Sequence, residues 1–221
     1  MKKAVICFTR VPRPGQTKTR LLPILKPQQC EALHSAFLRD LSAVYESMDA
    51  DLFIAYAPDP EPALLKEIFP MAKAFFPQEG ADLGEKMLHA IESVLKQGYE
   101  SCILTGSDLP LMTKEHLESG FTALENAEIT LGPTSDGGYY LVGMKQPCPE
   151  IFRNQQYGCS TVWENTLTAV KNAGYSFAPA LSCDDVDTPD DLKQLWKLIK
   201  NNGTHTANYL ELLQKEGVDL C

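Results

Sequence analysis

Residues 3–21 read KAVICFTRVPRPGQTKTRL. From Ala4 to Phe8 the stretch is apolar, short and rich in branched side chains, which fits a strand buried on both faces. The fourteen positions Phe8–Leu21, which begin on the last residue of that run, change character: they carry Arg10, Arg13, Lys18 and Arg20 and no acid. Pro12, Pro14 and Gly15 exclude a regular helix there and hold the chain on a bent path. The first acidic residue is Glu31, although the chain as a whole has a net charge of −9. A cationic loop directly after the first strand of an acidic protein is most simply used to hold an anion.

Working outward from that strand, further strand-like runs occur at 52–57, 73–76, 101–105, 128–131, 139–144 and 175–178. Between them, helical periodicity or capping signals mark 28–47, 61–69, 83–96, 114–125, a helix from Ser160 or Thr161 to 173, and 189–200. Leu33, Phe37, Leu41 and Val44 form the apolar face of the first helix. Pro58-Asp59-Pro60 ends the second strand, and Asp187 or Thr188 caps the helix that opens with Pro189. The alternation predicts an α/β fold in a single domain, a mostly parallel sheet with helices on both faces. The domain is expected to span 1–203, with a C-terminal helical tail over 204–221.

Composition narrows the partners. Of 221 residues, 44% are hydrophobic, enough for a sizeable core. The net negative charge argues against a nucleic acid polymer, which is gripped through many Lys/Arg–phosphate contacts, but leaves room for a single nucleotide in a local cationic pocket. The seven cysteines, Cys7, Cys30, Cys102, Cys148, Cys159, Cys183 and Cys221, form no C-x-x-C pair. They are read as thiols of a reducing, cytoplasmic compartment, with no zinc site expected. Neither a signal peptide nor a membrane span is expected, because no apolar run is long enough.

In a parallel sheet, ligands collect beyond the carboxyl ends of the strands. The basic loop, Gly106–Pro110 (GSDLP) and Gly132–Tyr140 (GPTSDGGYY) each stand directly after a strand, and Asp184–Asp191 (DDVDTPDD) follows the last one closely. One rim is therefore expected to gather Arg10, Lys18, Arg20, Asp108, Asp136, Asp185 and Asp187. The basic loop is not a Walker A loop, since Gly15 stands three residues before Lys18 rather than next to it, and its one glycine rules out the dinucleotide fingerprint. What remains is a turn of fixed cations suited to phosphate. Asp108, projecting past a buried strand, suits a hard divalent cation, with capping of the next turn as the plain alternative. Asp185 and Asp187, two apart, point to one side if extended and then want a cation between them; Asp187 reads equally well as a helix cap. Asp136-Gly-Gly is a tight turn whose glycines also allow close approach of a substrate, with Asp136 reaching a hydroxyl. Asp82 opens a helix, and His34, His89, His116 and His205 are read as surface or capping residues.

Five ordered motifs carry a family resemblance: F-T-R-x-P-x-P-G-x-x-K-T-R-L at 8–21, Q-x-G-x-D-L-G at 78–84, G-S-D-L-P at 106–110, S-D-G-G-Y-Y-L-V-G at 135–143 and D-V-D-T-P-x-D-L at 185–192. Together they resemble a bacterial family of GT-A-type nucleotide-diphospho-sugar transferases, a fold similar to that of the molybdenum-cofactor and 2-phospholactate guanylyltransferases. The resemblance implies that Arg10, Lys18 and Arg20 contact nucleotide phosphates, that Asp108 binds metal, and that Asp185 and Asp187 hold metal or the second substrate. Thr9, Ser107 and Asp82, which lie within the same motifs, join the phosphate- and nucleotide-binding set, and Lys18 and Asp136 are the expected catalytic pair. The glycine-rich Gly-Gly-x-Ser/Thr-x-Arg-Met loop usual in nucleotidyltransferases is replaced here by Arg10-Val-Pro-Arg-Pro-Gly, and Asp-x-Asp by Ser107-Asp108-Leu-Pro.

The expected activity is thus glycosyl transfer from a nucleotide-diphospho-sugar with Mg²⁺ or Mn²⁺ on Asp108. The alternative is nucleotidyl transfer from a nucleoside triphosphate to a phosphorylated small acceptor, with release of pyrophosphate. A non-catalytic nucleotide-binding module is the third. In the transfer readings the partners are a nucleotide or nucleotide-sugar and a small-molecule acceptor.

Overall fold

The computed structural model describes residues 2–57 and 62–220. In chain order it has β1 (Lys3–Thr9), α1 (Pro27–Glu46), β2 (Asp51–Tyr56), α2 (Ala63–Ile68), β3 (Ala74–Pro77), α3 (Leu83–Leu95), β4 (Ser101–Thr105), α4 (Lys114–Asn126), β5 (Ile129–Pro133), β6 (Tyr139–Met144), α5 (Val162–Asn172), β7 (Phe177–Pro179), α6 (Pro189–Ile199) and α7 (His205–Lys215). Single 3-10 turns occur at Thr19–Leu21 and Pro149–Ile151. Every expected strand and helix is present, with ends displaced by one or two residues. The predicted turn at Pro58-Asp59-Pro60 and the start of the following helix at Glu61 lie outside the described residues.

The seven strands form one sheet in the order β3-β2-β1-β4-β6-β5-β7. Only β6 runs against its neighbours β4 and β5. The period-2 alternation of β1 splits the core: Val5 and Cys7 pack toward α1, α2 and α4, while Ala4 and Ile6 pack toward α3 and α5. The predicted apolar face of α1 is divided between two layers. Leu41 meets the sheet, and Leu33 and Phe37 turn to a further layer with α6 and α7, which also buries Leu21, Leu25 and Trp196. The Asp40 carboxylate of α1 accepts the backbone N–H groups of His205 at 2.8 Å and Thr206 at 2.9 Å, satisfying donors that α7 leaves open at its start. Among the described residues no helix is long and apolar enough to cross a membrane.

This topology builds the rim. Strands β1 and β4 are adjacent and in register at their carboxyl ends (Cys7 opposite Thr105), so the basic loop and Gly106–Pro110 leave side by side. Because β6 is antiparallel, its beginning lies at that same end, held by Gly106 N donating to the Tyr140 carbonyl at 3.1 Å. The segment after β7 has no regular structure. It is stitched along the rim by Ala180 N to the Leu131 carbonyl (2.9 Å), Cys183 N to the Pro133 carbonyl (3.2 Å) and Val186 N to the Asp108 carbonyl (2.9 Å).

Candidate functional site

The Val186–Asp108 backbone hydrogen bond decides the site, because it lays the late acidic motif against the end of β4. Val186 is buried, and Asp185 and Asp187 on either side of it both line the same hollow. The expectation that two carboxylates two apart share a side therefore holds. The cap of α6 is Thr188, whose Oγ1 accepts Asp191 N at 3.2 Å while Asp191 Oδ2 accepts Thr188 N at 2.7 Å. That leaves the Asp187 carboxylate to side-chain partners: Arg20 Nη1 lies 2.8 Å from its Oδ2.

Lys18 sits where the two motifs meet. Its ammonium is 2.5 Å from Asp108 Oδ1, donates to the Val186 carbonyl at 2.7 Å, lies 3.9 Å from Asp187 Oδ1, and stands 4.7 Å above the Phe37 ring. The side chain is 2% exposed. Its backbone adopts the left-handed region (φ 51°, ψ 38°), a conformation that costs a non-glycine residue about 1 kcal/mol and persists here because the side chain is held from several directions. The lysine read from the sequence as a phosphate contact and catalytic residue is thus engaged with the carboxylates. Arg10 and Arg20, both exposed, line the cleft, Arg20 while paired with Asp187, and Lys86 of α3 lines it with them.

His34 is a correction to the sequence reading. It is buried (3% exposed), not a surface or capping residue, with Nδ1 3.6 Å from Asp108 Oδ1 and Nε2 3.3 Å from both Thr9 Oγ1 and the Arg10 carbonyl. It ties the end of β1 to Asp108. The signal was available: His34 lies one position from Leu33 on the buried stripe of α1, where an imidazole needs polar partners. Gln78, directly after β3, was also passed over for any role. Its Nε2 donates to the carbonyls of Thr9 (2.9 Å) and Ala55 (3.1 Å) and clips three strand ends together.

Two adjoining hollows open over the strand ends, and a third, of about 320 Å³, borders them where Arg20, Asp136 and Asp184–Asp187 meet α6. The larger, of about 790 Å³, lies over the ends of β1 and β4 and is lined by Thr9, Arg10, Gly15–Arg20, Gln78, Lys86, Ser107 and Asp108. The second, of about 320 Å³, lies over β6 and α5, with Met87, Leu104, Tyr139, Tyr140, Tyr157 and Val162 in its wall, and with Asp136 and Asp185 at its edge. Phe8, Arg20, Leu83, Ser107, Asp108 and Asp187 belong to both. Volumes of this size suit small ligands.

Asp136 closes the β5–β6 turn. Its Oδ1 accepts from Thr134 Oγ1 at 2.5 Å and Gly138 N at 3.0 Å. Gly137 has φ +87°, and a Cβ there would overlap the Ser160 carbonyl, so the turn lies directly against the start of α5. Asp82 takes the capping role: Oδ1 accepts Glu85 N at 2.8 Å. It lines a separate hollow with His89, Phe152 and Arg153, not either of the two above.

The electrostatics follow from this packing. Burial pushes the Asp108 carboxyl up, but Lys18 and His34 outweigh it and hold the group well below the usual carboxylate range. Burial, then the neighbouring charges of Asp187, Asp136 and Asp108, push Asp185 up to about 6. Asp187 is also raised, by burial and Asp108, with Lys18 and Arg20 opposing. Asp185 takes no hydrogen bond or ion pair from any described residue. Among the described residues, no three His, Cys, Asp or Glu side chains converge to hold a metal by themselves. An uncompensated carboxylate beside two others, all oxygen donors, does fit a hard divalent cation that takes one or two carboxylates and completes its shell with substrate phosphates.

Residues 40–159 match the family described as "Uncharacterized protein conserved in bacteria (DUF2064)". The chain belongs to this family. A solved relative in structure, a candidate nucleotide-diphospho-sugar transferase from Desulfovibrio desulfuricans G20, superposes with a TM-score of 0.89 at 29% identity, covering 97% of this chain and 96% of that one. The 2-phospho-L-lactate guanylyltransferase of Methanothermobacter thermautotrophicus is 26% identical over 209 residues, 92% of this chain and 88% of that protein. The phosphoenolpyruvate guanylyltransferase of Sphaerobacter thermophilus is 25% identical over 200 residues, 86% of this chain and 91% of that protein. The fold is that of the nucleotide-diphospho-sugar transferases, as the motifs implied.

Proposed function

We propose that the protein is a metal-dependent nucleotidyltransferase that moves a nucleoside monophosphate from a nucleoside triphosphate to a phosphorylated small acceptor and releases pyrophosphate. The observation that carries this reading is the common wall of the two hollows, where Arg20, Asp108 and Asp187 face both. A transfer enzyme needs two substrates meeting at one charged boundary, and the wall supplies it. The larger hollow takes the triphosphate, with Arg10, Arg20 and Lys86 as its cations and Ser107 beside them. Guanosine is the base to try first, since both curated relatives are guanylyltransferases by name.

Asp108 and Asp185 would hold Mg²⁺ or Mn²⁺, with Asp187 alongside. The bound cation would neutralise charge on the triphosphate and on the departing pyrophosphate. Lys18 holds Asp108 and the Val186 backbone in place rather than acting on substrate, and Asp136 shapes the turn that borders the acceptor.

Glycosyl transfer from a nucleotide-diphospho-sugar, placed first from the sequence, becomes the second reading. The name of the Desulfovibrio relative favours it, and the curated relatives favour nucleotidyl transfer. Products separate the two. The protein is incubated with Mg²⁺ and either nucleoside triphosphates plus phosphomonoesters or nucleotide-sugars plus hydroxyl acceptors. Pyrophosphate from the first set supports the proposal. Release of nucleoside diphosphate from the second set, with no pyrophosphate from the first, would overturn it. In melting experiments, GTP at about 100 times its Kd is expected to add about 2.7 kcal/mol, with Mg²⁺ or Mn²⁺ present and not without. Asp108→Asn is expected to abolish that shift.

A further inference from the structure

The second hollow carries information about the acceptor. Its floor is apolar and aromatic: Leu104 and Val142 from the sheet, Met87 and Val162 from the helices, and the Tyr139 and Tyr157 rings, edge to face at 6.5 Å between centroids. The two tyrosine hydroxyls lie 3.4 Å apart, and Tyr140 donates to the Leu181 carbonyl at 3.0 Å, so their polar ends have partners within the protein. Its charged lining residues are Asp108, Asp136, Asp185, Asp187 and Arg20. Arg20 is the one cationic side chain among them, and it is committed to Asp187 at 2.8 Å.

The acceptors named for the two curated relatives, 2-phospho-L-lactate and phosphoenolpyruvate, each carry a carboxylate next to the phosphate. In this chain the acceptor's phosphate can lie at the common wall, beside Arg20 and the metal-binding carboxylates. With the cation on Asp108 and Asp185 committed to the triphosphate, a second anionic group on the same molecule would lie beside Asp136, where the pocket wall offers no lysine, histidine or further arginine to receive it. Burying a carboxylate without a counter-charge is strongly unfavourable. An uncharged body finds a match instead: aromatic faces and aliphatic side chains in a volume of about 320 Å³.

Resting on the nucleotidyl-transfer reading, we infer that the acceptor is a phosphomonoester whose body is uncharged and ring-sized, and that the chain discriminates against the phospho-carboxylates used by its relatives. In the step, an acceptor phosphate oxygen attacks the α-phosphorus of the triphosphate. A new P–O bond forms, the bond between the α-phosphorus and the α–β bridging oxygen breaks, and pyrophosphate leaves with the electron pair. No proton need move.

The test is an acceptor panel with GTP and Mg²⁺, reading pyrophosphate release, with phenyl phosphate and a hexose 1-phosphate set against 2-phospho-L-lactate and phosphoenolpyruvate. The same acceptors are added to the complex with Mg²⁺ and a non-hydrolysable GTP analogue, reading melting temperature. Carboxylate-free esters are expected to show kcat/KM at least about tenfold higher, the scale of one missing charge partner. Equal or greater efficiency with the phospho-carboxylates overturns the acceptor class and leaves nucleotidyl transfer standing. Selective stabilisation by the carboxylate-free esters without any pyrophosphate overturns nucleotidyl transfer and leaves the acceptor class standing. No response to any acceptor in either assay overturns both.

Cys159 is exposed and lines this hollow, so Cys159→Arg supplies the missing cation at a position that tolerates it. It is expected to raise relative efficiency with 2-phospho-L-lactate about tenfold, while Cys159→Gln does not. If Cys159→Arg folds and leaves the preference unchanged, the charge argument is wrong.

Discussion

Replacing Asp185 with asparagine is expected to stabilise the protein. The carboxylate is half-buried beside Asp108, Asp136 and Asp187, takes no hydrogen bond from a described residue, and has its pKa pushed from 3.8 up to about 6. That gap corresponds to at most about 3 kcal/mol of unfavourable interaction in the charged form. Its partial exposure screens the neighbouring charges, so about 1–2 kcal/mol is the realistic figure. For a chain of 221 residues this is a rise in melting temperature of about 2–8 °C. Because the folded state binds this proton more tightly than the unfolded chain, the penalty is full above the folded pKa. It is relieved as pH falls from about 6 toward 4. Circular dichroism melts in EDTA, near pH 7.5 and about pH 5, measure it: the variant should melt higher at the upper pH, and the gap should narrow at the lower. An asparagine variant that melts at or below the parent near pH 7.5, or a gap that does not narrow, would refute the electrostatic account. With nucleotide and Mg²⁺ the order should reverse, since the parent alone retains the carboxylate that would hold the cation.

Other perturbations test other contacts. Lys18→Met keeps the stem against Phe37 but strands the Asp108 oxygen, and should cost about 2 kcal/mol in urea unfolding; adding Asp108→Asn should recover part of that loss. Gly137→Ala forces an alanine to φ +87° and into the Ser160 carbonyl, and should cost about 2 kcal/mol or more, with altered fluorescence from Trp163, whose backbone N–H donates to the Gly137 carbonyl. Asp40→Ala removes the acceptor of two backbone N–H groups at the start of α7. About 1 kcal/mol of stability should be lost, with faster amide exchange at His205 and Thr206 and unchanged nucleotide binding.

Much of this protein can be read from its residues in order, because the signals involved are local. The short apolar run at Ala4–Phe8, the caps at Thr113 and Thr188, and the alternation of strand and helix periods depend on neighbours a few positions away. They were sufficient for the α/β class, for nearly every element, and for naming Arg20, Asp108, Asp185 and Asp187 as residues of one rim. Three-dimensional packing alone decided what those residues do to one another. That β6 is antiparallel, and so starts at the rim with Tyr139 and Tyr140, is set by its pairing with β4, far back in the sequence. That Lys18 is buried against Asp108, with His34 behind it, depends on a backbone hydrogen bond from Val186, at the far end of the chain. Charge and hydrogen-bond partners depend on distance in space, and a linear pattern carries that distance only where the chain is locally regular. A cationic loop after a first strand is therefore legible as an anion site. Which of its cations stays free to meet the anion is not.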